Sequence, residues 1–129
     1  MYFHHIGYLV KDITESMKAF ILLGYEIEND IQLDNIRKAK ISFLIKDSNR
    51  IELIQPIGVE SPIYGLLKHY KNSPYHLCFV TDSLSKEVEG LENKGFMLFK
   101  NMEIAPCLNN KNVVFLMHPN MGIIELCES

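Results

Sequence analysis

Apolar and polar residues alternate along HHIGYLVKDI (4–13) and again along YHLCFVTDSL (75–84), the period-two pattern of a strand with one covered face. After each strand the period lengthens. Ile13, Met17 and Phe20 follow the first, and Leu84, Val88 and Leu91 the second, with the three- to four-residue spacing of a helix packed on one side. Asp12 or Thr14, and Ser83 or Ser85, are suited to cap these helices at their starts. Gly24-Tyr25 and Gly95-Phe96 fall where the helices should end. His5 precedes Gly24 by nineteen residues, and His76 precedes Gly95 by nineteen.

The repeat continues. ISFLIKDSNRIELI (41–54) matches VVFLMHPNMGIIELC (113–127), each reading as two strands joined by a polar turn and each holding Ile-Glu-Leu. His5 lies 47 residues before Glu52, and His76 lies 49 before Glu125. Each half therefore reads as strand, helix and three strands. The predicted strands are 3–10, 25–30, 38–46 and 50–55, then 75–81, 96–101, 112–117 and 122–127. A half of this size buries its own sheet poorly, so the two are expected to share a core. The predicted class is α+β: one domain over 1–129, built of two tandem βαβββ modules with a shared concave sheet. Module one spans about 1–56 and module two about 74–129. Between them, at about 57–73, SPIYGLLKHYK suggests a connecting helix with Ser61 as its cap, Pro62 at its first position, and Ile63, Leu66, Leu67 and Tyr70 on one face.

Alternation then sorts the side chains. One face carries Ile6, Tyr8, Val10, Ile51, Leu53, Leu77, Phe79, Ile124 and Leu126, and should lie under the helices. The opposite face carries His5, Glu52, His76 and Glu125, with Gly7 and Cys78 as small neighbours. A single strand histidine is usually a packing residue. Two histidines and two glutamates at repeat-equivalent positions of one face point to a metal site. Imidazole and carboxylate ligands suit nickel, cobalt or zinc, with iron and manganese also compatible. Four such ligands leave coordination positions open, the mark of a catalytic ion.

Composition narrows the setting. A net charge of −3, with no basic run longer than Arg37–Lys40, gives no footprint for nucleic acid. No apolar run is long enough to cross a membrane and no signal-peptide start is present, so a cytoplasmic location is expected. Cys78, Cys107 and Cys127 are odd in number and widely spaced, which argues against a disulfide framework or a thiolate zinc site.

HHIGYLVKDI, RIELIQPIGVESPIYGLL, YHLCFVTDSL and VFLMHPNMGIIELCE together resemble the vicinal oxygen chelate superfamily, which includes glyoxalase I and methylmalonyl-CoA epimerase. The resemblance covers nearly the whole chain. It implies one divalent metal held by His5, Glu52, His76 and Glu125 and proton abstraction beside a carbonyl, with the site either within one chain or between two; an exposed module edge points to a homodimer. His4 is read as a packing or hydrogen-bonding residue. Of the two reactions implied, isomerisation of a hemithioacetal in the manner of glyoxalase I is favoured, with Glu125 and Glu52 as proton carriers. The alternative is epimerisation of an acyl-CoA thioester. Epimerases of this type carry a Glu-Gln-Gly segment before the third strand, where this chain reads LDNIRKAK; Asp34 could stand in. A third reading is a non-catalytic binding protein of the bleomycin-resistance type. Arg37, Lys38, Lys111 and Asn112, placed beside strands, are expected to meet an anionic part of the small-molecule substrate. Met97, Met102, Met117 and Met121 are expected to fill the core.

Overall fold

Both long helices begin and end as their sequences require. In the computed structural model, which describes residues 1–129, helix α1 (Ile13–Leu22) starts on Asp12, whose carboxylate accepts from the Glu15 N–H. Ser83 caps the later helix, Leu84–Glu92, by accepting from the Lys86 N–H. Each ends in the same two bonds. Tyr25 N–H reaches Phe20 C=O and Gly24 N–H reaches Ile21 C=O, as Phe96 reaches Leu91 and Gly95 reaches Glu92. This double closure needs a left-handed residue, which glycine supplies at φ +99° (Gly24) and +101° (Gly95).

The chain has eight strands: β1 (Tyr2–Leu9), β2 (Glu26–Asp34), β3 (Ala39–Lys46), β4 (Asn49–Pro56), β5 (Ser73–Thr81), β6 (Met97–Ala105), β7 (Lys111–His118) and β8 (Gly122–Glu128). The backbone divides into two compact units, one of His5–Tyr75 and one of His76–Ser129 together with Met1–His4. In the first the strands lie in the order β2-β3-β4-β1, with β1 parallel to β4 and the other pairs antiparallel. In the second the order is β6-β7-β8-β5, with β5 parallel to β8.

Each unit buries the apolar face expected of it. Val10, Ile13, Met17, Leu44, Ile51 and Leu53 form one core, joined by Ile6, Tyr8, Phe20 and Tyr25. Leu84, Val114, Leu116, Ile124 and Leu126 form the other, joined by Phe79, Val88, Leu91 and Phe96. A fully buried aliphatic side chain of this kind contributes about 1.5–3 kcal/mol. All three cysteines are reduced and buried.

Three expectations need correction. The connecting helix shrinks to a 3-10 turn at Tyr64–Leu66 and a single α-turn, α2 (Leu67–Tyr70). Ser61 does not cap it, because the turn starts only after Ile63; its hydroxyl accepts from the Ile63 N–H at 3.4 Å and donates to the Arg37 carbonyl at 2.6 Å, which ties the segment down to the β2–β3 loop. Strands β2 and β6 also run four residues beyond their predicted ends at 30 and 101. Their outer halves, NDIQLD and KNMEIA, lack alternation because both strands carry register shifts and are mostly exposed. Met97, Met102 and Met121 are about half exposed and so do not fill the core. The third helix, α3, is Leu84–Glu92; none of the helices is long and apolar enough to cross a membrane.

Candidate metal centre

In the unit His5–Tyr75, β1 and β4 run parallel with Gly7 abreast of Glu52, and Phe43 of β3 on the other side of Glu52. Residues paired across neighbouring strands share a face, and His5 joins this row two residues before Gly7. His5 Nε2 lies 3.1 Å from Glu52 Oε1, and both side chains are inaccessible to solvent, at 0% and 1%. The His5 ring stands edge-on to Phe43, with centroids 5.3 Å apart and planes at 81°.

The other unit repeats this geometry. Cys78 of β5 pairs with Glu125 of β8, and Glu125 with Phe115 of β7. His76 Nε2 lies 3.7 Å from Glu125 Oε1, both side chains at 0% exposure. Its ring meets Phe115 at 5.5 Å and 86°. The phenylalanines fix the imidazole planes, and they occupy matched places in ISFL and VVFL. That match was the signal available for them, and sequence reading assigned them no role.

The spacing suits ligands of a common ion. With metal–nitrogen and metal–oxygen bonds of about 2.0–2.2 Å, adjacent ligand atoms sit about 3.0 Å apart on an octahedron and about 3.4 Å apart on a tetrahedron. The observed 3.1 Å falls between those values, and 3.7 Å lies about 0.3 Å beyond the tetrahedral one. Neutral imidazole with carboxylate is also the donor chemistry that first-row divalent ions take. A carboxylate buried this deeply costs several kcal/mol unless a cation or hydrogen bonds compensate it.

The remaining candidates lie elsewhere. Asp34 is fully buried, and its Oδ1 accepts from the Ile36 and Arg37 N–H groups at 2.9 Å each. Arg37 is itself buried, its Nη1 3.8 Å from Asp34 Oδ2. Together with Ser61 they lock the loop between β2 and β3. Lys38 reaches out to Glu60 at 3.8 Å on the surface. Asn112 is on the helix-covered face of β7, alternating with Val113 and Phe115, and donates from its backbone and side chain to Glu128 at 2.7 and 3.3 Å. Those two bonds from Asn112, with a smaller contribution from Lys111, hold the Glu128 carboxyl below its ordinary range. Lys111 is on the same face as Glu125, but at the far end of β7.

Each unit thus carries one buried histidine–glutamate pair, a donor set that could hold a divalent ion. The family model for the Glyoxalase/Bleomycin resistance protein/Dioxygenase superfamily matches residues 4–115, and the chain belongs to that superfamily. The chain is 29% identical over 120 residues to bovine mitochondrial methylmalonyl-CoA epimerase, covering 91% of this chain and 66% of that protein, so it spans just under two thirds of that relative's length. Among solved structures, a hypothetical protein of Bacillus halodurans C-125 aligns with a TM-score of 0.83 at 24% identity, covering 98% of this chain and 93% of its own. A Streptomyces coelicolor methylmalonyl-CoA epimerase variant in complex with 2-nitronate-propionyl-CoA aligns with a TM-score of 0.82 at 18% identity, covering 100% and 97%.

Proposed function

We propose that the protein is a divalent-metal-dependent epimerase acting on the carbon beside an acyl-CoA thioester carbonyl, with His5, Glu52, His76 and Glu125 as the ligands of one nickel, cobalt, zinc, iron or manganese ion. The observation that carries this reading is the matched pair of buried histidine–glutamate contacts at 3.1 and 3.7 Å, in a chain whose relatives include methylmalonyl-CoA epimerases. The relatives favour the epimerase over the glyoxalase I reaction expected from the ligand set.

A bound divalent ion would supply a positive charge that favours build-up of negative charge on a carbonyl oxygen. The chain's own residues do the rest. Phe43 and Phe115 keep the imidazoles in one orientation and exclude water from the pairs. Epimerisation removes a proton from one side of a carbon and returns one to the other. The internal repeat offers a carboxylate for each transfer, Glu52 and Glu125, both shielded from solvent. Asp34 is poorly placed for this work, since two backbone N–H groups and Arg37 hold its carboxylate oxygens to the loop.

Glyoxalase-like isomerisation of a hemithioacetal is the second reading, favoured by the presence of two carboxylates rather than one. The test is incubation of metal-loaded protein in heavy water with methylmalonyl-CoA and, separately, with a methylglyoxal–thiol adduct. Exchange at the α-carbon of the thioester supports the epimerase. Turnover of the adduct alone replaces it with the isomerase.

A further inference from the structure

The two outer strands break the internal symmetry at one place. Register shifts occur in β2 between Asn29 and Gln32, and in β6 between Lys100 and Glu103. Residues three apart on a regular strand point to opposite faces, but a bulge between them restores both to one face. In β6, Lys100 pairs with Phe115 and Glu103 with Val113, two residues that share a face of β7. Phe115 in turn pairs with Glu125. Lys100, Phe115, Glu125 and Cys78 thus form one row across the ligand-bearing face of this unit. The first unit has the corresponding row Asn29, Phe43, Glu52 and Gly7, with Gln32 in the place of Glu103. The histidines, glutamates and phenylalanines repeat; the outer positions change from neutral amides to a charged pair.

We infer that Lys100 is the anchor for a free carboxylate on the acyl group of the substrate, and that Glu103 orients it. This rests on the epimerase reading. Lys100 Nζ lies 3.0 Å from Glu103 Oε1, with the two side chains 31% and 20% exposed. A partly exposed pair of this kind adds little stability, so its presence on this face calls for another role. One contact to Glu103 leaves an ammonium two further donors. Strand spacing puts the Lys100 backbone about 9–10 Å from that of Glu125, a gap that its four-carbon stem partly spans. Lys111, the other cation on this face, stands four residues along β7 from Phe115, about 13 Å away along the strand.

The test is calorimetric titration of metal-loaded protein with methylmalonyl-CoA and with propionyl-CoA, which lacks the carboxylate. A charge-assisted hydrogen bond at a partly exposed site corresponds to a preference on the order of 10-fold. Wild type should show that preference for methylmalonyl-CoA. Lys100→Met should reduce it to about 2-fold or less, leaving propionyl-CoA affinity and metal content unchanged, while Lys100→Arg keeps it. An unchanged preference in Lys100→Met assigns the carboxylate to another group and overturns the inference, with the epimerase reading intact. A Lys100-dependent preference without α-hydrogen exchange in heavy water upholds the anchor and sinks the epimerase reading. Failure of wild type to bind either thioester overturns both.

Discussion

Replacing Glu52 by glutamine separates ligand from proton carrier. Glutamine has nearly the same shape, and its carbonyl oxygen can still ligate a metal or accept a hydrogen bond from His5, but it does not take up a proton as a carboxylate does. The side chain is 1% exposed and its Oε1 lies 3.1 Å from His5 Nε2, so the local packing should survive. A general acid–base contribution is typically 10²–10⁴-fold, equivalent to about 2.7–5.4 kcal/mol on the barrier. Glu52→Gln should lose epimerisation by that factor while keeping most of its metal. The assay is proton NMR in heavy water on each epimer of methylmalonyl-CoA separately. With one carboxylate left, exchange should persist from one epimer within about 10-fold of wild type and fall from the other by the general-base factor. Glu125→Gln should show the reverse preference. Wild-type epimerisation in either variant, with metal bound, would refute the role given to that glutamate.

Saturating metal at about 1,000 times its Kd should stabilise the protein by about 4 kcal/mol. For 129 residues this raises Tm by roughly 15 °C, taking about 2.1 cal/mol/K per residue, and calorimetry should show the shift abolished in His5→Ala and His76→Ala. Gly24→Ala and Gly95→Ala force a Cβ into φ of +99° and +101°, at a cost of about 1–2 kcal/mol. Thermal melts should fall by roughly 4–7 °C. The lowered pKa of Glu128 means its folded form favours the anion. Its stabilisation is therefore complete above the ordinary range of a glutamate carboxyl and is lost as pH falls through its lower range in the folded protein. Urea unfolding of Asn112→Ala should lie below wild type at pH 7 and approach it under acid, and a constant gap would contradict this. Exposed Ile27, Ile31 and Leu33 on β2, and Leu98, Phe99 and Ile104 on β6, accord with a homodimer, which sedimentation equilibrium should report.

The repeat was legible because its marks are local. Two strands, two capped helices and two glycine closures use residue types that only a few backbone conformations accept. The four candidate ligands followed from period-two alternation in β1, β4, β5 and β8, which are regular and bury the candidates themselves. Alternation failed in β2 and β6, where the bulges change face mid-strand and exposure removes the apolar marker. Lys100 and Glu103 were therefore out of reach. Arg37 and Asn112 were expected to meet an anionic part of the substrate, since no periodicity announces a buried guanidinium closing a loop or an amide paired with a carboxylate across the end of a sheet. The connecting helix had the right residues but forms only as two short turns, with Ser61 outside them and tied to Arg37.

One measurement bears most directly on the central claim: the metal stoichiometry of the purified protein and of its four single alanine variants at His5, Glu52, His76 and Glu125. Two histidine–glutamate pairs could serve one ion or hold one each. The account predicts one divalent transition metal per chain in wild type, by elemental analysis against protein concentration, and severe loss of it in both histidine variants. Two ions per chain, or full retention in either histidine variant, would contradict it.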